Sequence, residues 1–274
     1  MPLSFASINS GSNGNCYYVG NDTDAVLIDV GLSCREIEQR LNRLSLPISH
    51  IKGVLVSHEH TDHIRGVETL VKKHNLPLYI SEGTLKQSRI KVAKDKVVYL
   101  QPNNPVEIGS LLIVPFTKMH DAADPYSFTV SWLEKTIGIF TDIGTVCEKL
   151  RYHFKQCHAA FLEANYDEEM LDNGSYPFHL KARIKGGKGH LSNLQAMELL
   201  EKNRHPKLSR LILSHLSKNN NHPSLVHNLF TSSPISKAIE IIVASRYEES
   251  AVYSLIDSIE PKVTMQKPKQ LMLW

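Results

Sequence analysis

Residues 58–63 read HEHTDH, one residue beyond the apolar run 51–56. His58, His60, Asp62 and His63 crowd three imidazoles and a carboxylate into six positions. Imidazoles packed this closely repel one another once protonated. A divalent cation removes the conflict, because neutral histidine nitrogen and carboxylate oxygen are both metal donors. Positions i and i+2 of an extended segment project to one side, so His58 and His60 can grip one ion. Asp62 and His63 then open the next helix and can face a second. The competing reading is a helix cap by Thr61 or Asp62. It accounts for the carboxylate and leaves the histidines without a partner.

Four donors are too few for two ions, so further ligands are expected downstream. Three polar residues stand just past apolar runs: His120 after LLIVPFTKM, Asp142 after TIGIFT and His215 after LSRLILS. A lone histidine in such a place is more often an ordinary polar residue. Asp142 has an alternative as the cap of a helix beginning near Thr145. As a set, however, they have the type and the strand-end placement that a two-metal site requires, with ions roughly 3.5–4 Å apart. The chain has 14 histidines, about twice the ordinary share, which agrees with metal binding. Histidine plus carboxylate suits zinc, manganese or iron.

These side chains need elements to hold them. Segments 3–8, 16–20, 25–31 and 51–58 predict strands. Segment 33–44 predicts an amphipathic helix with Ser33 as its N-cap, and 62–75 a helix with Ile64, Val67, Leu70 and Val71 on one face. Segments 111–120, 126–134 and 136–144 predict consecutive strands with a hairpin at Glu134–Lys135, and 159–165 a further strand. A helix capped by Ser192 is expected over 191–204 and a strand running into a loop over 208–217. The last strand is expected at 239–247, with a helical or irregular tail beyond. Hairpins in each half exclude a pure βαβ repeat. Neither a GxGxxG after a strand nor a GxxxxGK[ST] occurs. The expectation is one α/β (α+β) domain spanning 1–274, its two halves each carrying a sheet, packed face to face with helices outside.

The bulk composition is consistent with this. The 274 residues, 42% hydrophobic and 22% charged with a net charge of +3, describe a folded chain with enough apolar content for a large core. The mild positive excess permits an anionic substrate without demanding one. No secretory leader and no apolar run of membrane-spanning length is read in the sequence. Four cysteines without CxxC spacing read as reduced thiols of a cytoplasmic protein.

Three more stretches bear on the substrate. In SGSNGN (10–15), the glycines with Ser12, Asn13 and Asn15 can point backbone N–H groups at an anion, or form an ordinary hairpin turn. In LKARIKGGKGHLSN (180–193), Lys181, Arg183, Lys185 and Lys188 bring positive charge, and a phosphate would suit the helix start at Ser192. A solvated surface face is the competing reading of the lysines. His190, in the glycine loop, can donate a proton to a departing oxygen. In LSHLSKNNNHP (213–223), a polar run continues past His215.

SHEHTDHIRG followed by His120, Asp142 and His215 in that order resembles the metallo-β-lactamase superfamily. The resemblance covers nearly the whole chain and implies an αββα four-layer sandwich with the site at one rim of the sheets. It implies two divalent transition-metal ions: His58, His60 and His120 on one, Asp62, His63 and His215 on the other, and Asp142 bridging. It also implies a bridging hydroxide as nucleophile, formed from a water that Asp62 holds and deprotonates. SGSNGN, SHEHTDHIRGV, DAADPYSF, FTDIG, LEANYDEEML, YPFHLKARI, GHLSN and LSHLSKNNN together resemble the YycJ-like (WalJ-like) branch. That branch implies 5′→3′ exonuclease activity, with DNA rather than RNA as the substrate. Candidate substrate contacts are Ser12, Asn13, Asn15, Lys188, His190 and Ser192, with His190 also the candidate acid. Members of the branch tend to carry histidine where this chain has Tyr166, so Tyr166 is not counted as a ligand. A thioesterase of the glyoxalase II type is the first rival, although MHDAADP replaces its histidine-threonine-proline-glycine pattern. A non-catalytic metal module is the second, although structural sites usually have closed, cysteine-rich coordination.

Overall fold

Strands that are apolar at successive positions must be covered on both faces, and this chain has several. Residues 159–163 read AAFLE and are buried at all five positions. The computed structural model describes residues 2–256 and covers them with a second sheet on one side and helices on the other.

The first sheet contains β1 (Leu3–Asn9), β2 (Cys16–Gly20), β3 (Ala25–Ile28), β4 (Ile51–Leu55), β5 (Leu78–Ile80) and β6 (Val97–Tyr99). The second contains β7 (Val106–Ile108), β8 (Leu111–Thr117), β9 (Tyr126–Trp132), β10 (Lys135–Phe140), β11 (Ala159–Glu163), β12 (Arg210–Ser214) and β13 (Glu240–Val243). A last strand, β14 (Tyr253–Leu255), returns to the first sheet and pairs antiparallel with β1, Leu3 opposite Leu255. The helices are α1 (Cys34–Arg43), α2 (Thr61–Ile64), α3 (Val67–His74), α4 (Glu82–Ser88), α5 (Glu148–Phe154), α6 (Glu168–Asn173), α7 (Phe178–Lys185), α8 (Asn193–Asn203) and α9 (Pro223–Ser232).

Four layers have three interfaces, and each holds an apolar cluster. Phe5, Tyr17, Ile28, Phe128, Ile139, Phe161 and Ile212 fill the space between the sheets. Ile37, Leu41, Leu70 and Val71 of α1 and α3 cover the first sheet. Leu150, Leu199, Leu200 and Phe230 of α5, α8 and α9 cover the second. Strand alternation does the sorting. In β11, Ala159 and Phe161 face the other sheet, while Ala160 and Leu162 face the helices. The fold is therefore the expected αββα sandwich.

Each sheet is half hairpins and half parallel strands. β3 through β6 run parallel, as do β10 through β13. β8 runs in the same direction as β10, because both pair antiparallel with β9. The carboxyl ends of β8, β10, β11 and β12 therefore share one rim. Open sheets of this kind present ligand sites at such a rim.

The structure corrects several element boundaries. The helix expected at 62–75 is two helices broken at Gly66. Its N–H donates to Val30 O at 2.8 Å, and a Cβ there would meet Leu32 O at 2.1 Å. The β9–β10 turn falls on Leu133 and Glu134, since Trp132 pairs with Lys135. Segment 239–247 is not the last strand, because β14 follows it. The rest of the expected tail, from residue 257, lies outside the described residues.

Candidate metal centre

β4 ends at Leu55, and the chain leaves the rim through Ser57 and His58 into the HTDH turn. That turn is stitched down by backbone bonds. Asn15 N donates to Asp62 O (2.7 Å), Val30 N to His63 O (2.8 Å) and Gly31 N to Asn15 O (2.8 Å). Only glycine fits at position 31, where a Cβ would stand 1.6 Å from Asp62 O. Buried Lys118 fastens the exits of β8 and β10 together, its Nζ donating to Thr141 O at 2.8 Å. This sets His120 beside Asp142. Asp142 and His215 follow β10 and β12 with positive φ (56° and 57°), which turns both side chains off the strand direction.

The structure brings all seven candidate ligands together. His58 Nε2 and His60 Nδ1 are 3.0 Å apart, and His120 Nε2 is 3.4 Å from the same His60 Nδ1. Donors around a tetrahedral ion at about 2.1 Å stand about 3.4 Å apart. Asp62, His63 and His215 form a second group, with His63 Nε2 at 3.5 Å and His215 Nε2 at 3.7 Å from Asp62 Oδ2. Asp142 lies between the groups, Oδ2 at 3.2 Å from His63 Nε2 and Oδ1 at 3.8 Å from His120 Nε2.

The other nitrogen of most of these rings is anchored outward. His63 Nδ1 donates to Asp29 Oδ2 (2.7 Å), His120 Nδ1 to Gly189 O (3.1 Å) and His215 Nδ1 to Glu163 Oε1 (3.0 Å). Ser57 Oγ donates to Asp29 Oδ2 (2.8 Å) and so can accept from His58 Nδ1 at 2.9 Å. Such bonds fix the tautomer and leave Nε2 facing inward. Asp29 and Glu163 were missed in the sequence. Each is a fully buried carboxylate at the end of an apolar strand, the same cue that singled out Asp142 and His215.

The electrostatics match this arrangement. Burial opposes charge on His63, yet Asp142, Asp29 and Asp62 overcome it and raise its pKa to about 10. His215 is likewise raised against burial, by Asp142, Asp62 and Glu163. Burial would raise Glu163, but His190 and His215 hold it at about 2. Asp142, equally buried, is held well below the usual carboxylate range by His215 and His63. His120 falls to about 4 and His58 drops as well, burial being the main cause in both. The carboxylates thus stay ionised and draw positive charge onto neighbouring rings.

The proposed substrate residues are placed less uniformly. His190 lies beside the cluster, its Nδ1 donating to Glu163 Oε1 at 2.8 Å. Asn15 is buried and donates to Asp62 Oδ2 at 3.1 Å, so it acts on a candidate ligand. Ser12 and Asn13 are exposed and held by Arg246. Lys188 is exposed in the turn before His190. Ser192 does not suit substrate contact. It is buried, caps α8 by accepting from Gln195 N, and donates to Glu168 Oε1 at 2.9 Å. A protein carboxylate occupies the helix start where a phosphate was expected. Lys181, Arg183 and Lys185 lie on α7, bonded to Asp172 O, Asp121 and Asp172. Tyr166 is buried, and its backbone carbonyl accepts from Asn193 N.

The family model described as "Beta-lactamase superfamily domain" matches residues 24–216. Exodeoxyribonuclease YycJ of Bacillus anthracis is 33% identical over 224 residues, covering 81% of this chain and 85% of that protein. The chain belongs to the beta-lactamase superfamily, in its metallo-β-lactamase-fold, YycJ-like branch. A second relative in the superfamily, Exodeoxyribonuclease WalJ of Streptococcus pneumoniae, is 31% identical over 228 residues, 81% of this chain and 85% of that one. Two solved structures share the fold. The metallo-beta-lactamase fold protein YhfI of Bacillus subtilis has a TM-score of 0.71 at 17% identity, over 92% of this chain and 99% of that one. Zn(2+)-bound PqqB of Methylobacterium extorquens has a TM-score of 0.69 at 16% identity, over 92% and 100%. Like its superfamily relatives, the chain is a metal-dependent hydrolase.

The residues present fit a metal. Asp142 Oδ2 and His215 Nε2 are buried without a hydrogen-bond partner, which is costly unless something else satisfies them. A cation among the inward-facing nitrogens and ionised carboxylates would satisfy both.

Proposed function

We propose that this chain is a dinuclear metal-dependent phosphodiesterase that degrades DNA from an end. One observation supports the reading: Asp142 lies between two three-donor groups, and His190 stands beside them on a buried carboxylate. His58, His60 and His120 would hold one ion, Asp62, His63 and His215 the other, and Asp142 both. When bound, zinc, manganese or iron would supply Lewis acidity, offsetting phosphoryl charge and lowering the pKa of an attacking water. Asp62 Oδ2 would take the proton of that water, with Asn15 Nδ2 holding the carboxylate in place. His190 would hand a proton from Nε2 to the leaving oxygen. Glu163 keeps the ring oriented for this through Nδ1.

The names of the YycJ and WalJ relatives support DNA as substrate. We take the chain as one domain acting in the cytoplasm. Its four cysteines are all free, and no helix among the described residues is long and apolar enough to cross a membrane. The test is a panel of 5′-labelled DNA, 5′-labelled RNA, bis-p-nitrophenyl phosphate and a thioester, assayed with Mn²⁺ and with Zn²⁺. Shortening of the DNA from one end is expected. Thioester turnover with both nucleic acids untouched overturns the reading.

A further inference from the structure

The rim that carries His215 continues into a cavity that the cleavage chemistry does not use. β12 and β13 run parallel and end side by side. Beyond their ends lies a cavity of about 550 Å³, between segments 216–223 and 243–247. That size falls within the range of small-molecule sites. Ser10 joins it to the metal centre. Its Oγ accepts the backbone N–H of His215 at 2.8 Å, and its own N–H donates to Ser245 O at 3.2 Å.

The lining has two characters. Lys218 and Arg246 make one side basic, His222 stands beside them, and among the described residues no carboxylate lines the cavity. Arg246 Nη2 is 3.2 Å from Ser12 Oγ, while its Nη1 is buried without a hydrogen-bond partner. A buried donor of this kind calls for an acceptor, and an anion is the strongest one. The other side is apolar, formed by Pro223, Val243 and Ala244, and it ends at Tyr247, whose side chain is 67% exposed. A cation pair beside an open aromatic face is the combination that binds single-stranded nucleic acid, phosphate on one and base on the other.

We infer that this cavity seats the terminal nucleotide of the DNA strand, with its phosphate on Arg246 and Lys218 and its base on Tyr247. The next phosphodiester then lies toward His215 and the metal centre. The inference rests on the nuclease reading above and adds the residues that would recognise the end of the strand.

The experiment compares wild type, Tyr247→Ala, Tyr247→Phe and Lys218→Glu on two substrates. One is a 5′-phosphorylated oligodeoxynucleotide. The other is bis-p-nitrophenyl phosphate, which has no nucleobase to seat. The readout is the ratio of the oligonucleotide KM to the bis-p-nitrophenyl phosphate KM. Tyr247→Ala is expected to raise it about tenfold, the size of one lost base stack. Tyr247→Phe keeps the wild-type ratio, because stacking needs the ring and not the hydroxyl. Lys218→Glu raises it as well. An unmoved ratio in Tyr247→Ala and Lys218→Glu, with wild-type oligonucleotide cleavage intact, overturns the cavity assignment alone. A wild type that hydrolyses bis-p-nitrophenyl phosphate and leaves the oligonucleotide whole overturns the nuclease reading and this inference with it.

Discussion

Glu163 Oε1 receives Nδ1 of His190 at 2.8 Å, from the buried end of a central strand. The same oxygen receives Nδ1 of His215 at 3.0 Å, so one carboxylate orients the candidate proton donor and a candidate metal ligand. Outer partners of this type usually matter about 10–100-fold in metal affinity or activity. Glu163→Gln keeps the shape and removes the charge. It is expected to lower turnover by about that factor, with the folded fraction judged by circular dichroism. Full activity of the variant would remove Glu163 from the mechanism.

His190→Ala separates proton donation from metal binding. General acid catalysis contributes about 10²–10⁴-fold when the leaving group is poor. The deoxyribose oxygen of DNA is a poor leaving group, whereas p-nitrophenolate leaves without help. The variant should therefore lose turnover on DNA by about 10²-fold or more and lose far less on bis-p-nitrophenyl phosphate, with bound metal retained. Equal losses on both substrates would make His190 a structural residue.

Metal content tests the shared carboxylate. Purified protein is expected to carry about two transition-metal ions per chain, and a chelator should abolish hydrolysis until Mn²⁺ or Zn²⁺ is returned. His60→Ala and Asp142→Ala should each lose metal and activity together. Mass spectrometry of native protein showing at most one ion, with Asp142→Ala active, would refute the dinuclear centre.

Acid should destabilise the fold through His153, which is not among the candidate metal donors. The ring is buried and stacks on Phe116 at 4.0 Å, and burial lowers its pKa from 6.5 to about 4. As the folded value lies below the unfolded one, the unfolded chain takes up the proton first as pH falls. The contribution is complete above pH 6.5 and is lost on the way down to about 4. It amounts to something on the order of 2 kcal/mol. Urea melts across that window should show the wild type losing stability relative to His153→Phe as the pH is lowered. Parallel curves would show that His153 has no part in acid unfolding.

The strand-end cue read His120, Asp142 and His215 out of the sequence, because an apolar strand followed by a polar residue marks a sheet rim. Asp29 and Glu163 meet the same cue but carry no motif of their own, and both were passed over. β5, β6, β7 and β14 span three residues each, too few to show a period of two. The break at Gly66 was invisible because it comes from the turn at 30–32 pressing on it, a contact distant in sequence. Lys181, Arg183 and Lys185 read as positive charge near a phosphate site or as a solvated face. Their carboxylate partners, Asp121 and Asp172, come from other elements, and a one-dimensional reading does not pair them.

Asp29, Asp142 and His215 all leave their strands in left-handed backbone conformation, with φ between 56° and 60°. For L-residues this geometry costs up to roughly 1–2 kcal/mol, less for Asp or Asn where the side chain bonds locally. An evolving copy freed from catalytic selection would relax its backbone by drifting to glycine at Asp142 and His215. The sandwich would remain and its reactive rim would disappear.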